Sequence, residues 1–290
     1  MNSFPCISII IPTYNQGHLI TNCLESIRSQ TVSNWEAIVV NNFSDDNTEE
    51  IVAAFQDSRI RLLRFRNHGV IAASRNEGVK LAKAPFLAFL DSDDVWYPTK
   101  IEEALSAMQA GHEIVCHAEK WINQDGVKRV FKYGPAIRAS YSNLLFDGNC
   151  LSTSAVTMSK GLFKAVGGFS ENHAYMTAED YDLWLNVARI GTSIYFIEKV
   201  LGEYRIHGEN QSSAAERNYQ AIIEVLKFHF KTHIKLTVVN RIKIQRRFAL
   251  AAYGCGRSLQ ATKQFKQAYE WLLRSILLWP FAIRAWPHLY

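Results

Sequence analysis

Nowhere does the 290-residue chain hold a run of about 18 apolar residues, the length a membrane-spanning helix needs. Its most apolar tail, Ser275–Trp286, is interrupted by Pro280 and Arg284, so a spanning helix is not expected. The five cysteines (Cys6, Cys23, Cys116, Cys150, Cys255) are odd in number, widely spaced and contain no Cys-x-x-Cys pair. That spacing argues against a zinc ribbon or a disulfide framework, and a reducing cytosol is the expected compartment. The N-terminus lacks a charged leader segment, and Ile7–Pro12 is too short for a signal-peptide core. Low-complexity segments and long repeats are also missing. With 48% apolar and 20% charged residues, the composition excludes disordered and collagen-like chains.

Acidic residues are missing from one stretch in particular: none lies between Glu224 and Glu270. Residues 1–224 carry 20 basic and 26 acidic side chains, whereas residues 225–290 carry 12 basic and one acidic. The modest net charge of +5 therefore hides two parts of opposite sign, which points to different partners.

Over the first 95 residues the hydrophobic pattern alternates between two periods. Cys6–Ile11, Trp35–Val40, Ile60–Leu63 and Phe86–Leu90 read as strands, the first a β-branched run buried on both faces. Leu19–Ile27, a segment from Thr48 to Phe55 with Thr48 as N-cap, and Ile71–Ala82 read as helices between them. Such alternation predicts a parallel α/β sheet. Further on, a helix is expected from Pro98 to about Ala110, strands at Glu113–His117, Thr153–Met158 and Ile194–Ile197, and helices at Lys160–Val166 and Tyr181–Ile190. Residues 118–150 give only turn signals, at Gln124-Asp125-Gly126 and Asp147-Gly148-Asn149. From about Ser212 strands vanish, and Tyr219–Phe230, Val238–Tyr253 and Lys263–Leu277 have helical spacing. A boundary is placed at Gln211–Ala215, giving regions 1–212 and 213–290.

Ligands of open α/β sheets sit outside the carboxyl ends of the strands. Three predicted strand ends carry polar clusters: Pro12-Thr13-Tyr14-Asn15, Asn41-Asn42-Phe43-Ser44-Asp45 and Asp91-Ser92-Asp93-Asp94. All three should converge on one edge. Three carboxylates within four residues repel one another, and a hard divalent cation held through oxygen would offset that repulsion. Alternatively, Asp94 caps the following helix and the others face water.

The ordered motifs Ser8-Ile-Ile-Ile-Pro-Thr-Tyr-Asn15, Leu24-Glu-Ser-Ile-Arg-Ser-Gln-Thr31, Ala73-Ser-Arg-Asn-Glu-Gly78, Phe89-Leu-Asp-Ser-Asp-Asp94, Gly167-Gly-Phe169, Glu179-Asp-Tyr-Asp-Leu-Trp184 and Tyr204-Arg-Ile-His207 resemble those of family 2 glycosyltransferases. The resemblance covers roughly residues 4–212. It implies an α/β fold of the GT-A type, a Rossmann-like mixed sheet, followed here by an all-helical C-terminal extension. It also implies inverting transfer of a sugar from a nucleoside diphosphate sugar to a glycan or lipid-linked hydroxyl, in bacterial-type surface polysaccharide synthesis.

Carried over residue by residue, the resemblance makes Asp180 the base that takes the acceptor proton, with Glu179 orienting it or touching the acceptor. Asp93 and His207 would ligate Mg²⁺ or Mn²⁺, which stabilises the leaving diphosphate as a Lewis acid. Asp91 would reach the ribose or a metal-bound water. Pro12, Thr13 and Tyr14 would line the nucleotide pocket, and Arg75 would contact the nucleotide near the diphosphate. The family usually has an aspartate in the turn after the second strand. This chain has Asn42 there, which offers both a donor and an acceptor to a base edge and is compatible with a UDP- or dTDP-type donor. Asp45 or Asp46 could substitute. Tyr175 and Trp184 are candidate sugar-stacking rings, Trp184 also reading as core.

The basic tail admits two readings: a helical bundle packed on the catalytic region with a solvated basic face, or a peripheral contact with an anionic membrane face. Lys227, Lys231 and Lys235 could share one helical face, and Trp271, Trp279, Phe281 and Trp286 could sit at an interface. Nothing resembles a nucleic-acid recognition motif, and a helical tail is compatible with a homodimer. The expected location is cytoplasmic, peripheral on the inner membrane face if the tail binds lipid. Two rival functions stand beside the transferase: a non-catalytic carbohydrate-binding module, and a nucleotide-sugar-forming nucleotidyltransferase. Thr13-Tyr14-Asn15-Gln16-Gly17 in place of a glycine- and arginine-rich phosphate loop argues against the second.

Overall fold

In a computed structural model the described residues are 4–123, 126, 129–206 and 214–281. Gln124, Asp125, His207, Gln211 and Trp286, all singled out above, lie outside them. The described residues form a nine-stranded mixed sheet of order β3-β2-β1-β4-β8-β6-β9-β5, with β7 (Arg129–Phe131) pairing off this path with β6. The run β3 (Ile60–Arg64), β2 (Trp35–Asn41), β1 (Ile7–Thr13) and β4 (Phe86–Phe89) is parallel. Next, β8 (Val156–Ser159) lies antiparallel to β4 and to β6 (Ile114–Asn123), while β9 (Tyr195–Ile206) runs parallel to β6 and antiparallel to β5 (Val95–Trp96).

The two faces of β1 show why a continuous apolar run was needed. Ile7, Ile9 and Ile11 join one buried cluster with Ile20, Cys23, Leu24 and Ile27 of α1 (Gly17–Arg28). Ile10, between them, joins the other with Val40 and Phe89. The period of two sends alternate side chains to opposite faces, and both faces are covered. On the second face α3 (Ile71–Leu81) lies close against the sheet at Gly78, where a Cβ would fall 2.7 Å from Ile10 Cγ2 and 3.1 Å from Val40 Cγ2. The missing side chain lets this helix approach, and Arg75 sits one turn nearer its start.

Short elements escaped the sequence pattern. Strand β5 is two residues long, and α5 (Tyr141–Asp147), capped by Ser140 Oγ accepting from Asn143 N–H, is only seven. Neither spans enough chain to show a period. Strands β6 and β9 run well past their predicted ends, because Ala118–Asn123 and Val200–Ile206 pair with each other across a register irregularity near His117–Glu119. Cross-strand partners, rather than local propensity, extend them.

The C-terminal helices are α8 (Ala215–His233), α9 (Val238–Ala261) and α10 (Phe265–Leu278). Ala221, Val225, Leu226 and Phe230 of α8 belong to the same apolar cluster as α7 (Glu179–Arg189) and the sheet. His229, fully buried, faces Asp182 Oδ1 at 3.0 Å and the Tyr141 hydroxyl at 3.1 Å. Asp182 is therefore committed to α8, away from Asp180. Helix α8 stops at His233, so Lys235 lies in the following turn rather than on one face with Lys227 and Lys231. Trp271, read above as an interfacial ring, instead packs on Tyr219 and donates its indole N–H to Glu216. No helix among the described residues is long and apolar enough to cross a membrane.

Candidate active site

Parallel register brings Thr13, Asn41 and Arg64 level at the carboxyl ends of β1, β2 and β3, and β4 leads directly into Asp91. Above this edge opens a cleft of about 1220 Å³. Pro12, Thr13, Tyr14, Asn42, Arg75, Asp91, Asp93, Glu179 and Asp180 all line it. Of the ten residues assigned roles by resemblance, only His207 cannot be placed, being outside the described residues. Non-glycine residues with positive φ concentrate here: Phe43 (54°), His68 (52°) and Thr177 (83°) line the cleft, and Asn15 (52°) adjoins it. For a β-branched residue such as Thr177 this backbone is strained, and strain of this kind collects at functional sites.

The turn after β2 divides its labour between two asparagines. Buried Asn41 accepts from Ser44 N–H and Oγ–H and donates to Glu49, which builds the turn. Asn42 Oδ1 accepts from the Asn67 N–H at 2.9 Å. A backbone N–H needs an acceptor, so this contact fixes the amide orientation and leaves the Nδ2 donors of Asn42 for the cleft. Asp46 accepts from Gly17 N–H and from Thr48 N–H and Oγ–H, so it is spent on structure; Asp45 stays exposed at the cleft. Thr48 does not act as N-cap: α2 (Thr48–Ala54) has Asn47 in that position.

In the acidic run the three carboxylates part company. Asp94, 1% exposed, accepts from Ser154 Oγ–H at 2.6 Å and from the Arg205 N–H at 3.0 Å. It ties β4's end to the sheet instead of capping the next helix, and burial together with Asp93 pushes its carboxyl well above the usual range. Asp91 and Asp93 remain partly exposed to the cleft.

Arg75, 3% exposed, places Nη2 2.7 Å from Asp91 Oδ1 and Nη1 2.7 Å from Glu179 Oε1. Burial opposes its charge, but the two carboxylates more than compensate, and the guanidinium stays protonated with its pKa raised. The fork expected to face a ligand is thus occupied by two acids of the same cleft; only Nε is buried without a partner. Glu179 also accepts from the Thr177 N–H, which fixes the start of α7.

Asp180 follows on the next position of α7. Its Oδ2 accepts from Thr153 Oγ–H at 3.2 Å, and its Oδ1 from the Tyr181 N–H. Burial first, then the Glu179 carboxylate, push Asp180 up to about 6. A carboxylate so poised can take a proton near neutral pH.

Two parts of the wall were not anticipated. Trp121, Tyr133 and Tyr204, on and beside the extended ends of β6 and β9, form an aromatic side of the cleft. Trp121 stacks on Phe131 at 4.3 Å and donates to the Tyr133 hydroxyl, which donates to buried Glu119. Burial raises Glu119 to about 7. From the C-terminal helices come Asn218, Ile222 and Arg247. No motif surrounds these residues; the only available signal was that a helix with one apolar stripe must pack on something. Tyr175 and Trp184 are 8% and 0% exposed and lie in the core, so neither is a sugar platform.

The family described as Glycosyl transferase family 2 matches residues 8–165. Over 185 residues the chain is 34% identical to the UDP-Glc:alpha-D-GlcNAc-diphosphoundecaprenol beta-1,3-glucosyltransferase WfgD of Escherichia coli, covering 63% of this chain and 70% of that protein. The similarly named WfaP of Escherichia coli is 33% identical over 208 residues, covering 71% and 80%. Among solved structures, the mannosyltransferase PcManGT of Pyrobaculum calidifontis in complex with GDP-Man and Mn²⁺ superposes with a TM-score of 0.61 at 17% identity, covering 99% of this chain and 84% of that one.

Proposed function

Because the chain belongs to glycosyl transferase family 2, we propose that it moves a sugar, with inversion, from a nucleoside diphosphate sugar to a hydroxyl of a glycan or lipid-linked acceptor during surface polysaccharide synthesis. Its fold is of the GT-A type with a C-terminal helical region. The observation that supports the reading best is the common cleft of Asp91, Asp93, Glu179 and Asp180.

On this reading the nucleotide lies over the ends of β1 and β2. Thr13 offers backbone groups, Tyr14 (51% exposed) a ring face, and Asn42 its amide donors to an acceptor on the base. A UDP-type donor fits the names of WfgD and WfaP. Arg75 positions Asp91 and Glu179 and sets positive charge beside the diphosphate. Asp180 accepts the proton of the attacking hydroxyl, its carboxylate held in aim by Thr153 and by the α7 backbone.

Asp91 and Asp93 suit a hard divalent cation: both are carboxylates at the cleft, and Asp91 keeps Oδ2 after Oδ1 has met Arg75. No group of three or more His, Cys, Asp or Glu side chains is gathered to hold an ion among the described residues. Mg²⁺ and Mn²⁺ fit nonetheless, since such ions are commonly bound by one or two carboxylates with substrate phosphates and water completing the shell. When bound, the ion would supply Lewis-acid stabilisation of the leaving diphosphate. His207 remains the proposed third protein ligand.

A peripheral membrane contact fits the exposed side chains Leu236, Val238, Val239 and Ile242 at the α8–α9 corner, interspersed with Lys235, Arg241 and Lys243.

A panel of nucleotide sugars, assayed for transfer to a diphosphate-linked GlcNAc acceptor with and without Mn²⁺, tests the function. Turnover should depend on one donor and fall by about 10²–10⁴-fold in Asp180→Asn while that donor still binds. Full activity in that variant would refute the assignment of the base, and binding of no nucleotide sugar would refute the function.

A further inference from the structure

Arg247 differs from the other buried arginine of the cleft. It is 5% exposed, yet among the described residues it meets no carboxylate. Its one hydrogen bond there runs from Nη2 to the Tyr181 hydroxyl at 3.5 Å, long for such a bond, and Nε is buried with no partner. The Tyr181 hydroxyl already donates to Leu144 O at 2.6 Å, so it can only accept from Arg247. Acids nearby are engaged elsewhere: Asp147 pairs with Arg246 at 2.9 Å. Its Cζ also lies 5.9 Å over the Tyr181 ring, so the phenol and its face are the partners shown among the described residues; a buried cation without a carboxylate is costly, and one that faces a cleft is poised for an anion.

We propose that Arg247 is the anion-binding residue of the acceptor subsite, recognising the phosphate or diphosphate of a phosphate-linked sugar acceptor; this rests on the glycosyltransferase reading above. Three observations fix the location. First, Asp91, Asp93 and Arg75 belong to the strand-end side of the cleft, where the donor's diphosphate is proposed to lie. Arg247 instead lies beside Gly148, where a Cβ would fall 3.6 Å from Nη2. Second, the cleft-lining segment 149–153 leads from this point to Thr153, which holds Asp180. An acceptor with its phosphate at Arg247 therefore extends its sugar along this wall toward the base. Third, Val239, Lys243 and Arg247 follow one another at i, i+4 and i+8 on α9, about 12 Å along the axis. Burial rises along this stripe, from Val239 (60% exposed) to Arg247 (5%). The exposed apolar and basic corner is thus joined to the cleft by a single helix side, as a lipid-linked phosphate would require.

Titration of the full-length protein with a short-chain alkyl diphosphate tests this, in the presence of saturating UDP and Mn²⁺ so that the donor end is filled. Binding should persist with nucleotide present, weaken about tenfold or more in Arg247→Gln, and weaken less in Arg247→Lys. Equal affinity in Arg247→Gln, or displacement of the alkyl diphosphate by UDP, overturns the proposal. Should Arg247→Gln not fold, hydrogen exchange on the unaltered protein decides. Protection by the alkyl diphosphate should fall on residues 148–153 and around 247, and protection confined to 12–15 and 91–93 overturns the proposal. None of these readouts needs turnover, so failure of every nucleotide sugar to react would refute the transferase reading without touching this result.

Discussion

Two arginines, each at least 95% buried, stand in the same cleft and are treated oppositely by their surroundings. Arg75 is closed on both forks by Asp91 and Glu179. Arg247 has a phenol at hydrogen-bonding limit and no acid among the described residues. The strand-end half of the cleft thus carries its own charge balance and behaves as a built frame. The half walled by α9 carries a cation that meets no carboxylate among the described residues, and the proposed anion would be its counter-charge. In a buried setting the difference is energetic: a paired charge lost from one side strands its partners, whereas an unpaired charge removed strands nothing.

The largest expected effect is at the frame. Asp180→Asn should lower turnover by about 10²–10⁴-fold, the usual contribution of a positioned base, with donor affinity within about twofold; steady-state kinetics beside a direct titration checks both. Next, Arg75→Gln leaves Glu179 and Asp91 unpaired and should destabilise by about 3–5 kcal/mol. That is a Tm lowered by roughly 6–15 °C in thermal melting. Arg247→Gln should shift Tm by only about 2 °C or less, since no carboxylate among the described residues is left stranded. Equal losses in the two variants would erase the contrast drawn here.

A pH profile sharpens it further. Asp180 is raised to about 6, so its ionised form is lost as pH falls through that value, and kcat/KM should drop on the acid side of pH 6. The sign for stability is opposite. A carboxyl whose folded pKa lies above its unfolded value holds its proton more tightly when folded, so stability declines as pH rises through the window from about 4 to 6. Asp180→Asn should therefore gain Tm relative to the parent at pH 7.5 and little at pH 4. The smallest effect belongs to the exposed corner. Lys235→Glu with Val239→Glu should leave stability within about 0.5 kcal/mol of the parent. It should also weaken flotation with anionic liposomes by roughly fivefold per charge removed, at about 1 kcal/mol each.

Much of the frame could be read before any coordinates. A β-branched run ending in Pro12, three further apolar strands and helical spacing between them imply parallel strands, and parallel strands put their carboxyl ends on one edge. Polar clusters at those ends then had to meet. What the pattern could not show was division of labour inside a cluster. Asp94 looks like its neighbours in sequence, yet its partners are Ser154 and the Arg205 backbone, far along the chain. Likewise Asn41 builds the turn while Asn42 faces the cleft, a split set by the contact with Asn67.

The aromatic side on β6 and β9 was hidden for a related reason, since those strand ends exist only through their mutual pairing. Residue types and short-range period determined the layered α/β core and the edge where chemistry collects, because strand alternation and helix spacing act over a few residues. Which charges are neutralised, and that α9 sends an unneutralised arginine into a cleft built some hundred residues earlier, was decided only by tertiary packing, because a charge's partners are chosen by proximity in space and by the water excluded around them.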